Sequence, residues 1–220
     1  MAQRDRRGYI ICSTQRSGSS MLCHLLRQTG VLGKPGESFV EKRLTRGNDD
    51  ARSDVEKLEA MIDQVSTKNG VFGTKLHYHQ FEQLIERTPL RTFGGFDGWV
   101  YIDREDEVGQ AVSLARAWQT NSFSWEQAER KEPTYDAAQI DKALSALRAE
   151  KVAWNRYFDT NGIVPIQIVY EKTLADPNTA VEAVCALMGV DPVQVDLAKV
   201  KTKVQRDAVN DEWAQRYRSR

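Results

Sequence analysis

Short apolar segments alternate with longer amphipathic ones along this chain. The short segments are typical of buried strands and lie at residues 9–13, 71–76, 99–102 and 165–170. Apolar residues at helical spacing separate them, as at residues 21–26, 108–118, 136–159 and 179–188. Short apolar strands between helices indicate a parallel sheet that is covered on both faces. The sequence therefore predicts a three-layer α/β fold with a central, mostly parallel sheet.

Size and charge limit the remaining interpretations. A chain of 220 residues with 40% hydrophobic content is enough for one large domain, which we expect to span residues 1–220. Lysine plus arginine (31) equal aspartate plus glutamate (31), so the formal net charge is zero. Such a chain has no global field that attracts nucleic acid or anionic membrane. Any anion site must be built locally, and we expect no nucleic-acid partner.

Segment patterns and cysteines bear on the compartment. The basic residues Arg4, Arg6 and Arg7 are followed by a short apolar run rather than by the 7–15 apolar residues of a signal peptide. No apolar run approaches the roughly 18 residues that span a bilayer. Cys12, Cys23 and Cys185 form neither a CxxC pair nor an even set, which favours reduced thiols in the core. We expect a soluble, cytoplasmic protein without a transmembrane segment, with a homodimer as the common default for such a chain.

A loop of small and polar residues, Gln15-Arg16-Ser17-Gly18-Ser19-Ser20, joins the first predicted strand to the first predicted helix. We call it the 15–20 loop. Ligands of open α/β sheets bind beyond the carboxyl ends of the strands, where helix N-termini attract anions. Gly18 allows close approach, the serines donate hydrogen bonds and Arg16 is a permanent cation. The loop lacks the leading Gly and the Lys of G-x-x-x-x-G-K-[ST], which weakens an ATP- or GTP-hydrolysing interpretation. On this pattern alone, an anion site and an ordinary turn both stay open.

Several ordered motifs resemble a known family. They are residues 13–20 (STQRSGSS), 30–39 (GVLGKPGESF), 73–77 (GTKLH), Arg104 with 110–113 (QAVS), and Tyr170-Glu171. Together they resemble the bacterial trehalose 2-sulfotransferase family, a branch of the sulfotransferases that use 3′-phosphoadenosine 5′-phosphosulfate (PAPS). The resemblance runs through most of the chain.

The resemblance implies a P-loop-like fold and an enzyme that moves a sulfuryl group from PAPS to a carbohydrate hydroxyl of a trehalose-like sugar or a glycolipid. The implied 5′-phosphosulfate site is Gln15, Arg16, Ser17, Gly18, Ser19 and Ser20. Glu37 is the implied general base and acceptor contact, although a loop glutamate is otherwise most often a solvated charge. Arg16 and the loop amides would stabilise the departing phosphate. No metal is required, because protein cations serve and a sulfuryl group carries less charge than a phosphoryl group.

The resemblance also implies that an Arg after a strand and a Ser in the next helix bind the 3′-phosphate of the donor, and Arg104 and Ser113 take these places. Their separation is nine residues where eight is usual, and position 105 is Glu. Other candidate cations are Arg116 and the basic residues Lys201, Lys203 and Arg206. The alternative for Arg104 is a solvated surface arginine paired with Asp103 or Asp106.

Lys75 and His77 follow a predicted strand and can face the same cleft. Lys75 is a candidate contact to the bridging oxygen or the acceptor, and His77 a candidate acceptor ligand or second base. His77 and His79 alternate on a segment that we expect to be extended. No third ligand follows at a zinc-like spacing, so packing histidines are favoured over a metal site.

Two other functions stay open at this point. One is a small-molecule kinase that uses the 15–20 loop for ATP, and the other is a nucleotide-binding protein without turnover. The acceptor itself is not specified by the donor motifs, since its pocket falls in residues 38–53 and 120–135, which have the weakest pattern.

Overall fold

The computed structural model describes residues 6–40, 52–88, 95–123, 132–200 and 208–220. Its strands are β1 (Arg7–Ser13), β2 (Val71–His77), β3 (Gly98–Asp103) and β4 (Ile166–Val169). Its helices are α1 (Ser19–Gln28), α2 (Asp54–Val65), α3 (Tyr78–Arg87), α4 (Glu107–Thr120), α5 (Ala137–Asn161), α6 (Tyr170–Ala175), α7 (Pro177–Met188) and α8 (Ala208–Arg218), with a 3₁₀ turn at Leu197–Lys199.

The described strands form one parallel sheet in the order β2-β1-β3-β4. Strand β1 lies in its interior, and the chain leaves β1 toward β2 on one side before it returns to β3 on the other. At the carboxyl end of β1, Ser13 lies opposite His77 of β2 and Ile102 of β3. This reversal of direction is the position at which open α/β sheets bind their ligands.

Alternating side chains of β1 enter two different cores. Tyr9 and Ile11 pack with α1 and α7, whereas Ile10 and Cys12 pack with α2, α3 and α5. All four residues are fully buried. A strand that is buried on both faces needs a continuous apolar run, which is what residues 9–12 supply. A third cluster joins α4, α5 and α8.

The predicted three-layer α/β fold is confirmed, with two local corrections. Tyr170, placed in the last strand by its apolar neighbours, begins α6, where the Thr173 hydroxyl donates to the Val169 carbonyl at 2.9 Å. His79 is not extended, because Gln80 accepts a hydrogen bond from the His77 N–H at 2.9 Å and caps α3 directly after β2. In the described ranges, no helix is long and apolar enough to cross a membrane.

Candidate active site

The 15–20 loop leaves β1 and turns directly into α1. Its backbone is left-handed at Arg16 (φ 62°) and Gly18 (φ 87°), and the Ser17 N–H donates to the Thr14 carbonyl at 3.4 Å. Loops with such left-handed positions bring successive N–H groups together around anions. Gly18 is the N-cap of helix α1 and supplies no side-chain cap, and the first turn of α1 contains no acidic residue. The first amides and the positive dipole end of α1 therefore face the loop without a competing carboxylate of that turn.

A buried hydroxyl completes the loop. The Ser17 Oγ is buried and has no hydrogen-bond partner among the residues that the structure describes. A Cβ placed on Gly18 would lie 2.1 Å from Cδ2 of Tyr170, so the tyrosine ring packs where only glycine fits. Buried polar groups without a partner are rare, and the oxygens of an anionic ligand can supply one. The loop fits a phosphate or sulfate group.

The side chain of Arg16 extends from the loop toward α4. Its Nε donates to the Ser113 Oγ at 2.8 Å, and its Nη1 donates to the Phe123 carbonyl at 3.0 Å. Burial, together with the nearby Arg104 and Arg116 guanidiniums, lowers the pKa of Arg16 to about 10. The Arg16 guanidinium is thus charged at neutral pH but partly desolvated. It would stabilise an anionic ligand that binds beside it.

Arg104 lies directly after β3 and is only 9% exposed. Its Nη1 donates to the Arg16 carbonyl at 3.5 Å, and its guanidinium lies 5.2 Å from the centre of the Tyr170 ring. Glu171 and Asp106 lie 3.7 and 3.8 Å from its nitrogens. Arg104 is therefore not a solvated surface residue, although it does lie near Asp106.

The nine-residue spacing does not separate Arg104 from Ser113, because both contact Arg16. Arg116 lies on the same helix as Ser113 and donates to the Asn210 Oδ1 at 3.3 Å. The remaining candidate cations Lys201, Lys203 and Arg206 lie outside the described residues. Ser19 is buried at the start of α1 and Ser20 is exposed.

Glu37 lies beside β2 on the loop that follows α1. The Gly36 carbonyl accepts hydrogen bonds from the Lys75 N–H at 2.9 Å and the Thr74 hydroxyl at 3.3 Å, which ties this loop to β2. The Lys75 ammonium binds Oε1 of Glu37, and the Gln80 amide donates to Oε2 at 3.5 Å. The Lys75 side chain is 5% exposed and that of Glu37 is 45% exposed. The carboxylate is held by a buried cation and remains accessible to a ligand.

His77 lies at the carboxyl end of β2, against the end of β1. Its Nδ1 is 3.0 Å from the Ser13 Oγ and 3.3 Å from the Ser13 carbonyl oxygen. A carbonyl oxygen only accepts, so Nδ1 carries the proton of the neutral ring and Nε2 is an acceptor. Burial lowers the pKa of His77 well below 6.5, and the Lys75 ammonium lowers it further. His77 is neutral at physiological pH.

The next histidine has a different environment. His79 stacks on His77 with ring centres 6.0 Å apart, and its Nδ1 lies 2.8 Å from Oε1 of Glu150. That hydrogen bond raises the pKa of His79. Within the described ranges, no group of three His, Cys, Asp or Glu side chains is placed to hold a metal ion.

Sequence reasoning gave no role to three residues that shape this site. Tyr170 packs on Gly18 and beside Arg104. The Glu171 carboxylate accepts from the Glu105 N–H at 3.0 Å and the Asp106 N–H at 3.3 Å, which fixes the turn after Arg104. Gln110 donates to the start of the 15–20 loop. All three residues belong to the motifs that resemble the family, and this is the sequence evidence that could have indicated a role for them.

The parallel sheet, the helix N-terminus without a side-chain cap and the arginines beside it define an α/β protein with a candidate anion site after β1. The chain belongs to the Stf0 sulphotransferase family, whose sequence profile matches residues 8–220. It is therefore a sulfotransferase.

Two curated relatives and one solved structure are similar to nearly the whole chain. The trehalose 2-sulfotransferase of Mycolicibacterium smegmatis is 30% identical, with 96% of this chain and 94% of the relative covered. That of Mycobacterium tuberculosis (Erdman) is 28% identical over 97% of this chain and 95% of the relative. The crystal structure of a sulfotransferase from Alicyclobacillus acidocaldarius has a TM-score of 0.54 and 14% identity, and covers 97% of this chain and 92% of its own. This last likeness supports the fold alone.

Proposed function

We propose that this enzyme transfers a sulfuryl group from PAPS to a hydroxyl of trehalose or of a trehalose-containing glycolipid. The observations that carry the proposal are the buried, unpartnered Ser17 hydroxyl at an uncapped helix start after β1, and the accessible, lysine-bound carboxylate of Glu37 beside the neighbouring strand β2. Family membership favours sulfuryl transfer over the kinase alternative. The sugar is proposed from the names of the curated relatives.

The 15–20 loop is the proposed site of the 5′-phosphosulfate. The amides at the start of α1 and the Ser17 hydroxyl face it, with Gln15, Ser19 and Ser20 as flanking ligands. Arg16 stabilises the charge that grows on the 5′-phosphate as it leaves, since fixed charges in a site with little water give the largest catalytic effects. The unpartnered Ser17 Oγ and the absence of a side-chain cap on α1 within the described residues support this assignment.

Arg104 and Ser113 are the proposed ligands of the donor 3′-phosphate. Both contact Arg16, so the two phosphate sites adjoin. Arg104 is already largely desolvated and lies beside two carboxylates, Asp106 and Glu171. The phosphate of the donor would bind the Arg104 guanidinium and balance part of the positive charge that these carboxylates now balance.

Glu37 is the proposed general base. The acceptor oxygen attacks sulfur while the bond from sulfur to the bridging oxygen of the 5′-phosphate breaks, and Glu37 takes the hydroxyl proton. The products are the sugar sulfate and adenosine 3′,5′-bisphosphate. Lys75 fixes the carboxylate and supplies positive charge beside the transferred group. His77 is the proposed acceptor contact through Nε2, which is unprotonated in the neutral ring.

Labelled PAPS incubated with trehalose, glucose and trehalose glycolipids tests the proposal. We expect label in trehalose or a trehalose glycolipid, and a rate of labelling about 10²–10⁴-fold lower when Glu37→Gln replaces the wild type. Failure of the wild type to transfer label to any of these acceptors, together with no binding of adenosine 3′,5′-bisphosphate, would overturn it.

A further inference from the structure

Gln110 is a fully buried residue to which the proposed reaction gives no role. It lies on α4, one turn before Ser113. Its Nε2 donates to the Thr14 hydroxyl at 2.9 Å and to the Gln15 carbonyl at 2.7 Å. Both hydrogens of its amide group are thereby used to hold the connection between β1 and α1.

Packing alone does not explain a glutamine at this position. The Gln110 Oε1 is buried and has no hydrogen-bond partner within the described part of the chain, a state that destabilises a fold. The neighbouring Ala111, Val112 and Leu114 are buried and apolar. An unbranched apolar side chain would occupy the same space without an unpaired oxygen. The amide is therefore most simply explained by its contact with the loop.

The hydrogen bond from Gln110 to the Gln15 carbonyl sets the direction of the Arg16 N–H. In a trans peptide, the carbonyl group and the following N–H point in opposite directions, and no cis peptide occurs among the described residues. Gln110 holds the Gln15 carbonyl toward α4, so the Arg16 N–H points away from α4. Arg16 also has a left-handed φ of 62°, which costs free energy in a residue other than glycine and persists only where the surroundings fix it.

We infer that Gln110 is a positioning residue for donor binding. It keeps the Gln15 carbonyl turned toward α4 and holds the left-handed turn at Arg16, so that the loop amides are arranged before the donor arrives. It acts on the donor through the backbone of the 15–20 loop. The inference rests on the proposed binding of the phosphosulfate by this loop.

Gln110→Met tests the inference, because methionine has similar length and neither hydrogen-bonding group. We expect the dissociation constant for adenosine 3′,5′-bisphosphate, measured by titration calorimetry, to rise about tenfold. The KM for PAPS should rise likewise, while the KM for trehalose and the melting temperature stay close to the wild type. A purely structural role would lower the melting temperature and leave the affinity of the folded protein unchanged.

Gln119→Met is the matched control. Gln119 lies on the same helix, and its Nε2 donates to the Thr134 carbonyl at 2.9 Å and the Gln139 Oε1 at 3.1 Å, away from the loop. We expect this variant to bind the bisphosphate as the wild type does.

Each outcome separates the inference from the proposed function. Wild-type affinity in Gln110→Met would overturn the inference and leave the proposed function intact, whereas a wild type that does not bind the bisphosphate would overturn both. If Gln110→Met does not fold, Thr14→Val removes one of the two acceptors. It should weaken binding about threefold, the effect of a weak hydrogen bond, and no change in that variant would overturn the inference.

Discussion

The Nε of Arg16 and the Oγ of Ser113 are 2.8 Å apart, and this hydrogen bond joins a side chain of the loop after β1 to the helix after β3. The two segments are 97 residues apart in sequence. The proposed sites for the 5′-phosphosulfate and the 3′-phosphate therefore share a side chain, and a change in one site should be felt in the other.

Replacement of Ser113 tests this connection. Ser113→Ala removes the acceptor of a largely buried guanidinium, so Arg16 is less well oriented and the donor loses a hydroxyl ligand. We expect the dissociation constant for adenosine 3′,5′-bisphosphate to rise about tenfold, as measured by calorimetry. Ser66→Ala, which removes a hydroxyl that donates to the Ile62 carbonyl on α2, is the control. Equal affinities in the two variants would contradict the prediction.

Replacement of Glu37 separates chemistry from binding. Glu37→Gln keeps the shape of the side chain but cannot take a proton, so kcat should fall about 10²–10⁴-fold. The affinity for the bisphosphate should stay within about twofold, since the carboxylate lies beside β2 rather than in the 15–20 loop. Stopped assays with labelled donor measure the rate. Glu59→Gln, which removes a carboxylate paired with Arg6, should keep full activity; an unchanged kcat in Glu37→Gln would rule out the base assignment.

Replacement of Arg104 tests the assignment of the 3′-phosphate. Arg104→Gln should lower the affinity for adenosine 3′,5′-bisphosphate about 10–100-fold, the range for hydrogen bonds to charged groups. The affinity for adenosine 5′-monophosphate, which lacks the 3′-phosphate, should change little. Parallel titrations give the ratio of the affinity for the bisphosphate to the affinity for the monophosphate. Arg116→Gln is titrated in the same way for comparison. If only Arg116→Gln lowers this ratio, Arg116 rather than Arg104 is the phosphate ligand.

Two glycines separate crowding from backbone strain. Gly18→Ala places a methyl group 2.1 Å from the Tyr170 ring at a φ of 87°, whereas Gly162→Ala has a φ of 63° and nothing within 4 Å. The free energy of unfolding of Gly162→Ala should be only about 1–2 kcal/mol below that of the wild type, which is the cost of the left-handed conformation. Gly18→Ala should lower the free energy of unfolding further and should also abolish donor binding. Urea unfolding and calorimetry check both, and equal losses would mean that Tyr170 moves aside freely.

The two neighbouring histidines predict opposite effects of pH on stability. Burial holds the pKa of His77 below its unfolded value of 6.5, so the unfolded chain binds the proton first as the pH falls below about 6.5. The free energy of unfolding should then drop by at most about 1.4 kcal/mol per pH unit for this proton. The raised pKa of His79 acts in the other direction and above about pH 6.5, where stability rises as the pH falls. This effect is weaker because the His79 side chain is half exposed.

Urea midpoints between pH 5 and pH 8 measure these effects. His77→Gln should flatten the acid side of the stability profile, because glutamine can still donate to Ser13 but does not titrate. His79→Gln should remove the stability that is gained as the pH falls toward about 6.5, and should leave the slope below that pH nearly unchanged. A profile for His77→Gln that matches the wild type would show that another group controls the acid side.

The sheet was predictable because burial on both faces demands continuous apolar runs, and residues 9–12 and 99–102 satisfy that demand. The start of α6 was not predictable in this way. Tyr170 continues an apolar run, yet it is the first residue of α6, where the Thr173 hydroxyl donates to the Val169 carbonyl. Local periodicity does not distinguish a strand end from a helix start when the residues at both are apolar.

Within the candidate site, the sequence motifs pointed to Glu37, Lys75 and Arg104 but not to the contacts that these residues make. The ion pair of Glu37 with Lys75 joins residues 38 positions apart, and its formation depends on the loop at Gly36 lying along β2. Arg104 contacts Tyr170 and Glu171, which follow the neighbouring strand β4 but lie more than 60 positions further along the chain than Arg104. Contacts of this kind follow from the order of the strands, which single-sequence patterns do not contain.

Trp154 is fully buried on α5, and its indole N–H donates to the Ser13 carbonyl at 3.1 Å. Ser13 is the last residue of β1, directly before the connection to the 15–20 loop. Indole fluorescence responds to the polarity and hydrogen bonding of its surroundings, so one of the five tryptophans is an intrinsic optical probe at the base of this loop. The protein therefore carries a spectroscopic reporter through which loop rearrangements can be followed in real time without an attached label.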